Sequence, residues 1–174
     1  LMRQNASDLR VICARHPRGE RDMYQVHLDK AYFPAQAEAD YRERTIEETL
    51  REQAAGRPDA MALREALADG TIGREWTYAQ LLADVERCGR ALASRHPKGA
   101  RIAIMGGNCP EWILIELGAA LAGLTVVTVN PSFTVREVRY VLEQSGCEAV
   151  YYQPLVRTST LRPIVDEAAA GTPA

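Results

Sequence analysis

The sequence predicts an α/β fold: a parallel sheet with helices on both faces, built from βαβ units. Three observations predict it. Short apolar runs that read as strands begin near residues 101, 124 and 148. A helical pattern with its own start and stop signals fills each gap between them. Crossovers of this kind are right-handed in about 98% of cases, which lays a parallel sheet beneath flanking helices.

The elements follow in order. Residues 1–44 are irregular and charge-rich, with RHPRGERD at 15–22, and read as an N-terminal arm. Thr45-Ile46-Glu47-Glu48 is a capping box, so a helix is expected to run to about Ala55 and stop at Gly56, with Pro58 beyond. AMALREALA at 60–68 is open to two readings. Its residues are strong helix formers, with Asp59 and Gly70 as caps. A strand, a turn at Asp69-Gly70 and a second strand to Trp76 is the alternative. Local propensity favours the helix.

Thr77-Tyr78-Ala79-Gln80 is a second capping box. Tyr78, Leu81, Leu82, Val85, Cys88 and Leu92 then recur at spacings of three and four, one face of an amphipathic helix ending before Pro97. Arg101–Met105 is a short apolar strand. Pro110 suits the first helical position, which makes Cys109 the N-cap residue. The helix 110–122 is apolar on most of its circumference and is expected to be sandwiched, with Gly123 as its stop. Leu124–Val129 is β-branched and continuous, the pattern of a strand covered on both faces. Asn130-Pro131 breaks the chain. Thr134–Glu137 is a third capping box, Val135, Val138, Val141 and Leu142 share a face, and Gly146 closes that helix. Glu148–Tyr152 is the next strand, and a last helix carries Leu161, Ile164, Val165 and Ala168.

Composition excludes several function classes. Over 174 residues the chain is 47% hydrophobic and 25% charged, as in globular proteins. Its net charge of -2 gives no basic field to attract nucleic acid. The longest apolar run is broken by Glu116 and Gly118, so no membrane-spanning segment is expected. Cys13, Cys88, Cys109 and Cys147 form no CxxC pair and have no histidine at ligand spacing, which argues against zinc and for a reducing, cytoplasmic setting.

The stretch IMGGNCPEW at 104–112 is the one place where a strand runs into glycines and then a helix. Open α/β sheets bind ligands at such turns. Yet neither GxGxxG nor GxxxxGK[ST] is present, Pro110 removes an amide donor, and Glu111 already supplies negative charge to the helix start. Gly106-Gly107 is therefore read as a corner that lets the helix pack close. Trp112 is read as a packed helix-face aromatic ahead of a tunnel-lining residue. Glu111 is read as helix-dipole support, Asn130 as a turn residue ahead of a cleft residue, and Cys109 as a plain cap ahead of a nucleophile. His16, His27 and His96 read as solvent-facing or turn residues. The run at 15–22 reads as a solvated loop, with a subunit contact, and hence a homodimer, as the alternative.

Taken together, GREWTYAQLLADVERCGRALAS, RIAIMGGNCPEWILIELGAALAGLTVVTVNPSF and TVREVRYVLEQSGCEAVYYQP resemble the front part of the adenylate-forming acyl-CoA synthetases. The features that carry the resemblance are the helix start at Trp76–Leu81, the turn Gly107–Trp112, the break Val129–Pro131 and the helix segment Tyr140–Ser145, in that order. The resemblance implies that 60–76 is a β-hairpin, against local propensity. It makes 45–174 the front subdomain of the large N-terminal domain of an acyl-CoA synthetase, with 1–44 as its arm.

The resemblance also implies an activity for the parent protein. A carboxylic acid, of the fatty-acid kind, attacks the α-phosphate of ATP with Mg²⁺ assistance, and coenzyme A then displaces AMP. The phosphate loop and the lysines that this chemistry uses in the family have no match here; Thr158-Ser159-Thr160 lacks the glycines and lysine of such a loop. The chain opens on Leu1 and ends at Ala174, so it is expected to be an amino-terminal portion. No catalytic, cofactor-binding or metal-binding residue is assigned, and the portion alone is expected to hold no ATP, Mg²⁺ or coenzyme A and to be inactive. Three alternatives stand beside this: an adenylation enzyme loading an aryl or amino acid onto a carrier protein, a stand-alone interaction module without catalysis, and, disfavoured by the missing glycine fingerprint, a small dinucleotide-binding domain.

Overall fold

The computed structural model describes residues 42–174. The expectations for 1–41, including the run at 15–22, Cys13, His16 and His27, lie outside the described residues.

Helix α1 (Ile46–Gly56) starts on the expected box: Thr45 Oγ1 accepts from the Glu48 amide at 3.1 Å, and the Thr45 amide donates to Glu48 Oε2 at 2.8 Å. Strands β1 (Met61–Ala66) and β2 (Ile72–Thr77) follow as an antiparallel hairpin, with Leu63 opposite Trp76 and Arg64 opposite Glu75. Tertiary packing has overridden helix propensity here. A helix over 60–68 would leave Trp76 without its strand partner. In the hairpin, Trp76 is buried with Leu50, Leu81 and Val85, and its Nε1 donates to Asp84 Oδ2 at 2.9 Å. The turn is closed by Asp69 Oδ1, which accepts from the Thr71 amide at 3.0 Å.

Helix α2 (Tyr78–Ala93) begins on the second box, with the Thr77 amide donating to Gln80 Oε1 at 2.9 Å. It lies against α3 (Pro110–Leu121), and the two backbones meet at glycines. A Cβ on Gly118 would sit 3.0 Å from Cys88 Sγ and from the Gly89 nitrogen. Helix α3 is sandwiched as expected. Leu114, Leu117 and Leu121 turn toward α1, α2 and the hairpin, while Ile115 and Ala119 turn toward the sheet.

The sheet holds β3 (Arg101–Met105), β4 (Thr125–Val129) and β5 (Ala149–Tyr152) in the order β4-β3-β5, all parallel. Alternation along β3 splits the core. Ile102 packs on the α3 side, and Ala103 and Met105 pack on the side of α4 (Val135–Ser145). Val138 and Leu142 of α4 are fully buried there with Leu161 and Val165 of the last helix. Gly146 ends α4 at φ 63, a left-handed conformation that glycine takes without steric cost.

One feature lies outside the expectations, and one position could not be read. Strand β4 packs on both faces, Val126 on the α3 side and Val127 and Val129 on the α4 side, but among the described residues it is an edge strand and its Thr125 and Thr128 are exposed. A small hairpin, β6 (Leu155–Val156) with β7 (Ser159–Thr160), precedes α5 (Arg162–Ala169), in a stretch too polar and too short to signal strands in the sequence.

Candidate functional site

The strand order fixes where a cleft must open. From β3 the chain steps to β4 on one side, then crosses back over β3 to reach β5 on the other. With right-handed crossovers, a reversal of direction puts the two connecting helices on opposite faces. The loop after β3 therefore leaves toward α3, and the loops after β4 and β5 leave toward α4 and α5. Between diverging loops, at the carboxyl ends of parallel strands, a crevice remains.

The structure has a cleft of about 1240 Å³ at that place. One wall is the turn Gly106-Gly107-Asn108 with Trp112. The other is Thr128–Phe133. The β5 loop closes the end through Gln153 and through the tip of the small hairpin, Val156–Ser159. A smaller hollow of about 420 Å³ lies beside it, walled by Ile104, Cys109, Trp112, Ile115 and Tyr151 among others.

The glycine turn packs against the loop after β5, and its backbone conformation is not the reason for the glycines. Neither Gly106 nor Gly107 has a positive φ. The Gly107 amide donates to Gln153 Oε1 at 3.1 Å, so that donor is already used. A Cβ on Gly106 would lie 3.2 Å from Gln153 Cβ, and one on Gly107 would find only ordinary contact with Val156 at 3.5 Å. The restriction is thus packing against Gln153 at Gly106, and no conformational need arises at Gly107.

The other singled-out residues divide. Asn130 satisfies its turn, Oδ1 accepting from the Ser132 amide at 2.9 Å, and also lines the cleft. Trp112 is only half-buried and borders both hollows, so it is less packed than its place on an apolar helix suggests. Cys109 stands at the N-cap of α3 and makes no side-chain cap hydrogen bond to its backbone. Glu111 does more than sit in the first turn. Arg74 of the hairpin donates to it at 2.5 Å and to Glu65 at 2.8 Å. The Arg74 guanidinium holds both carboxyls below the usual range, Glu65 at about 2. His96, read as a solvent-facing or turn residue, lies in the bend after α2 and is half-buried: its Nε2 lies 2.9 Å from the Tyr151 hydroxyl, with the rings edge to face.

Sequence reasoning missed Gln153 and Arg157. Gln153 carries no motif and is defined only by the Gly107 amide it accepts. Arg157 sits at the tip of the β6–β7 hairpin at φ 54, the one non-glycine residue with positive φ among the described residues. Such a conformation costs on the order of 1 kcal/mol or more. Thr158-Ser159-Thr160 forms the rest of that hairpin, and Thr158 and Ser159 line the cleft beside Arg157. Among the described residues, no aspartate or glutamate lines the cleft, and Arg157 is its single cation. Among the described residues no three His, Cys, Asp or Glu gather closely enough to hold a metal ion.

Comparison with known proteins places this geometry. The family model described as "AMP-binding enzyme" matches residues 50–173. The mitochondrial medium-chain acyl-CoA ligase ACSF2 of Macaca fascicularis is 38% identical over 96 residues, which is 55% of this chain and 16% of that protein. The acyl-CoA ligase sidI of Aspergillus fumigatus is 32% identical over 102 residues, 58% of this chain and 17% of that protein. The chain thus spans about a sixth of these curated relatives. Among solved structures, a Mycobacterium tuberculosis fatty acyl CoA synthetase superposes with a TM-score of 0.63 at 30% identity, covering 75% of this chain and 25% of that one. The inhibitor-bound N-terminal domain of FACL13 from the same organism superposes with a TM-score of 0.61, also at 30% identity, over 75% of this chain and 30% of that one.

Proposed function

Because this chain belongs to the AMP-binding enzyme family, we propose that it is the front part of an enzyme that activates a carboxylic acid as an acyl-adenylate and passes the acyl group to coenzyme A. The observation that carries the reading is the family match across 50–173, joined to relatives named as acyl-CoA ligases. Residues 45–174 act as the front subdomain of its large domain, and 1–44 as an arm. A fatty acid of medium length is the acid of choice, by the name of the ACSF2 relative. A reducing compartment such as the cytosol suits the three described cysteines, all free.

In this reaction the carboxylate attacks the α-phosphorus of ATP, the bond to pyrophosphate breaks, and the thiol then attacks the acyl carbon and releases AMP. Stabilising charge on the α-phosphate is the demanding part, and such electrostatic stabilisation is usually the largest catalytic contribution. The cleft of this chain offers hydroxyls, amides and one guanidinium. Its donors do not fit a hard dication such as Mg²⁺, which seeks carboxylates and phosphate oxygens. The chain's own contribution is the βαβ scaffold that holds the glycine corner against Gln153 and keeps the strand ends open. Alone, it forms no acyl-adenylate.

The test is product analysis on the protein encoded by the whole reading frame, supplied with ATP, Mg²⁺ and coenzyme A. Medium-chain, aryl and amino acids are offered in turn, and thioesters are read by mass spectrometry. The expected product is a medium-chain acyl-CoA. Transfer only to a carrier protein, or no thioester from any acid, overturns the reading.

A further inference from the structure

The geometry points to an interface between two copies of this chain, in which strand β4 pairs antiparallel with its counterpart about a two-fold axis at Val127. An uncovered strand edge is a template for further pairing, and proteins blunt such edges with charge, proline, bulges or short length. Most strand edges left free among the described residues are blunted in this way. The β1–β2 hairpin carries Arg64, Glu65, Arg74 and Glu75 and has two register shifts. Strand β5 has four residues, with Glu148 before it and Pro154 beyond. Strands β6 and β7 have two residues each.

Strand β4 has none of these devices. Thr125–Val129 is five uncharged, β-branched residues in unbroken register with β3. Its outer side has no backbone partner among the described residues. The Thr125 amide donates to the Ala100 carbonyl at 2.9 Å, so Thr125 faces β3. Alternate residues share that direction. Val127 and Val129 therefore turn inward too, and the amides and carbonyls of Val126 and Thr128 point away from the sheet.

Those two outward residues select the partner. A second copy, run antiparallel with the two Val127 residues opposed, sets Val126 of each copy opposite Thr128 of the other. Each such pair exchanges both backbone hydrogen bonds. On the α3 side Val126 then meets Thr128; on the α4 side Val127 meets Val127, and Thr125 meets Val129. Every cross-strand pair is β-branched, and no like charges are opposed. Thr125 and Thr128 are exposed and Val126 and Val127 half-buried, so side-chain surface remains to be covered. A register slipped by two residues leaves the ends of the strand unpaired, which fixes the axis at Val127. A five-residue edge buries less than the roughly 1,600 Å² of a standard interface, so the dimer depends on concentration.

The experiment is sedimentation equilibrium of the 174-residue chain, from about 10 µM to about 1 mM. The expected result is a mass that rises with concentration toward that of a dimer. Thr128→Pro removes an amide that bonds nothing within the sheet, and with it one of the two bonds in each exchanging pair. It is expected to weaken association by about tenfold or more. Val127→Cys brings two thiols to the axis, in a pair whose Cα atoms stand about 4.5 Å apart, within disulfide reach. Diamide accepts the two thiol hydrogens with their electrons and is reduced to the hydrazine as the sulfurs join. The expected product is a covalent dimer, its link at position 127 read by peptide mass spectrometry apart from the native cysteines. Val126→Cys, opposed to Thr128, gives little of it. Far-UV circular dichroism confirms that each variant is folded.

A chain that is monomeric at about 1 mM, its edge taken by another segment of the same molecule, overturns the proposal. Association that Thr128→Pro leaves undiminished, or that gives no link at position 127, puts the contact on another surface and overturns it as well. The readout involves neither nucleotide nor catalysis, so its failure leaves the acyl-CoA ligase reading standing, and an inactive parent enzyme leaves the interface standing.

Discussion

Gln153 governs the corner that the sequence credits to its glycines. Its Cβ stands where a side chain on Gly106 would go, and its Oε1 takes the Gly107 amide. The two glycines should therefore respond differently to alanine. Gly107→Ala, with ordinary contact at 3.5 Å and no positive φ, is expected to change stability by less than about 0.5 kcal/mol. Gly106→Ala must displace Gln153 and is expected to cost more, on the order of 1 kcal/mol. Urea unfolding of both variants checks the order; equal or inverted costs would contradict it. Gly118 poses a harder restriction. The atoms a new Cβ would meet at 3.0 Å include backbone of the facing helix, which cannot swing aside. Gly118→Ala is expected to lose roughly 1–3 kcal/mol in the same assay, through separation of α2 from α3. A loss indistinguishable from zero would mean the helices are not in that contact.

Between elements, Arg74 is the tie. It joins the hairpin to the first turn of α3 through Glu65 and Glu111, and it lies over the Trp76 ring. Glu65 titrates near 2 in the folded chain, below the ordinary carboxylate value, so the unfolded chain binds the proton more readily. The stability it brings is full above about pH 4.3 and is lost as pH falls through about 2. Glu65→Gln should accordingly lower the melting temperature at pH 6, by an amount that shrinks steadily toward pH 2. The pair is partly exposed, so the effect is small and added salt reduces it further. Circular dichroism melts across that range read it; a gap that widens on acidification would refute the assignment. The element boundaries themselves were legible wherever a local signal exists. The capping boxes at Thr45, Thr77 and Thr134, the proline at the start of α3 and the glycine after α4 all lie where the sequence puts them. The hairpin at 61–77 was not legible from propensity, because its strands are specified by Trp76 packing on residues far along the chain. The edge position of β4 was not legible, because a β-branched run does not say how many strand neighbours it has.

At the scale of the molecule, topology rather than motif makes the site. The reversal β4-β3-β5 opens the cleft between loops, none of which carries a fingerprint sequence. The strand pattern marks these loops as the place where such sheets bind ligands, although Asn130 and the glycines read there as turn and corner residues. Gln153, Arg157 and the hairpin that presents Arg157 could not, since neither the amide contact nor the positive φ leaves a mark in residue order. We propose that this chain scaffolds, without performing, the adenylation of a carboxylic acid. The most direct measurement is acid-dependent exchange of labelled pyrophosphate into ATP, run in parallel on this chain and on the protein from the whole reading frame. Background exchange is expected for the chain, and clear, medium-chain-acid-dependent exchange for the parent. Exchange by the chain alone, or none by the folded parent with any acid, would contradict it.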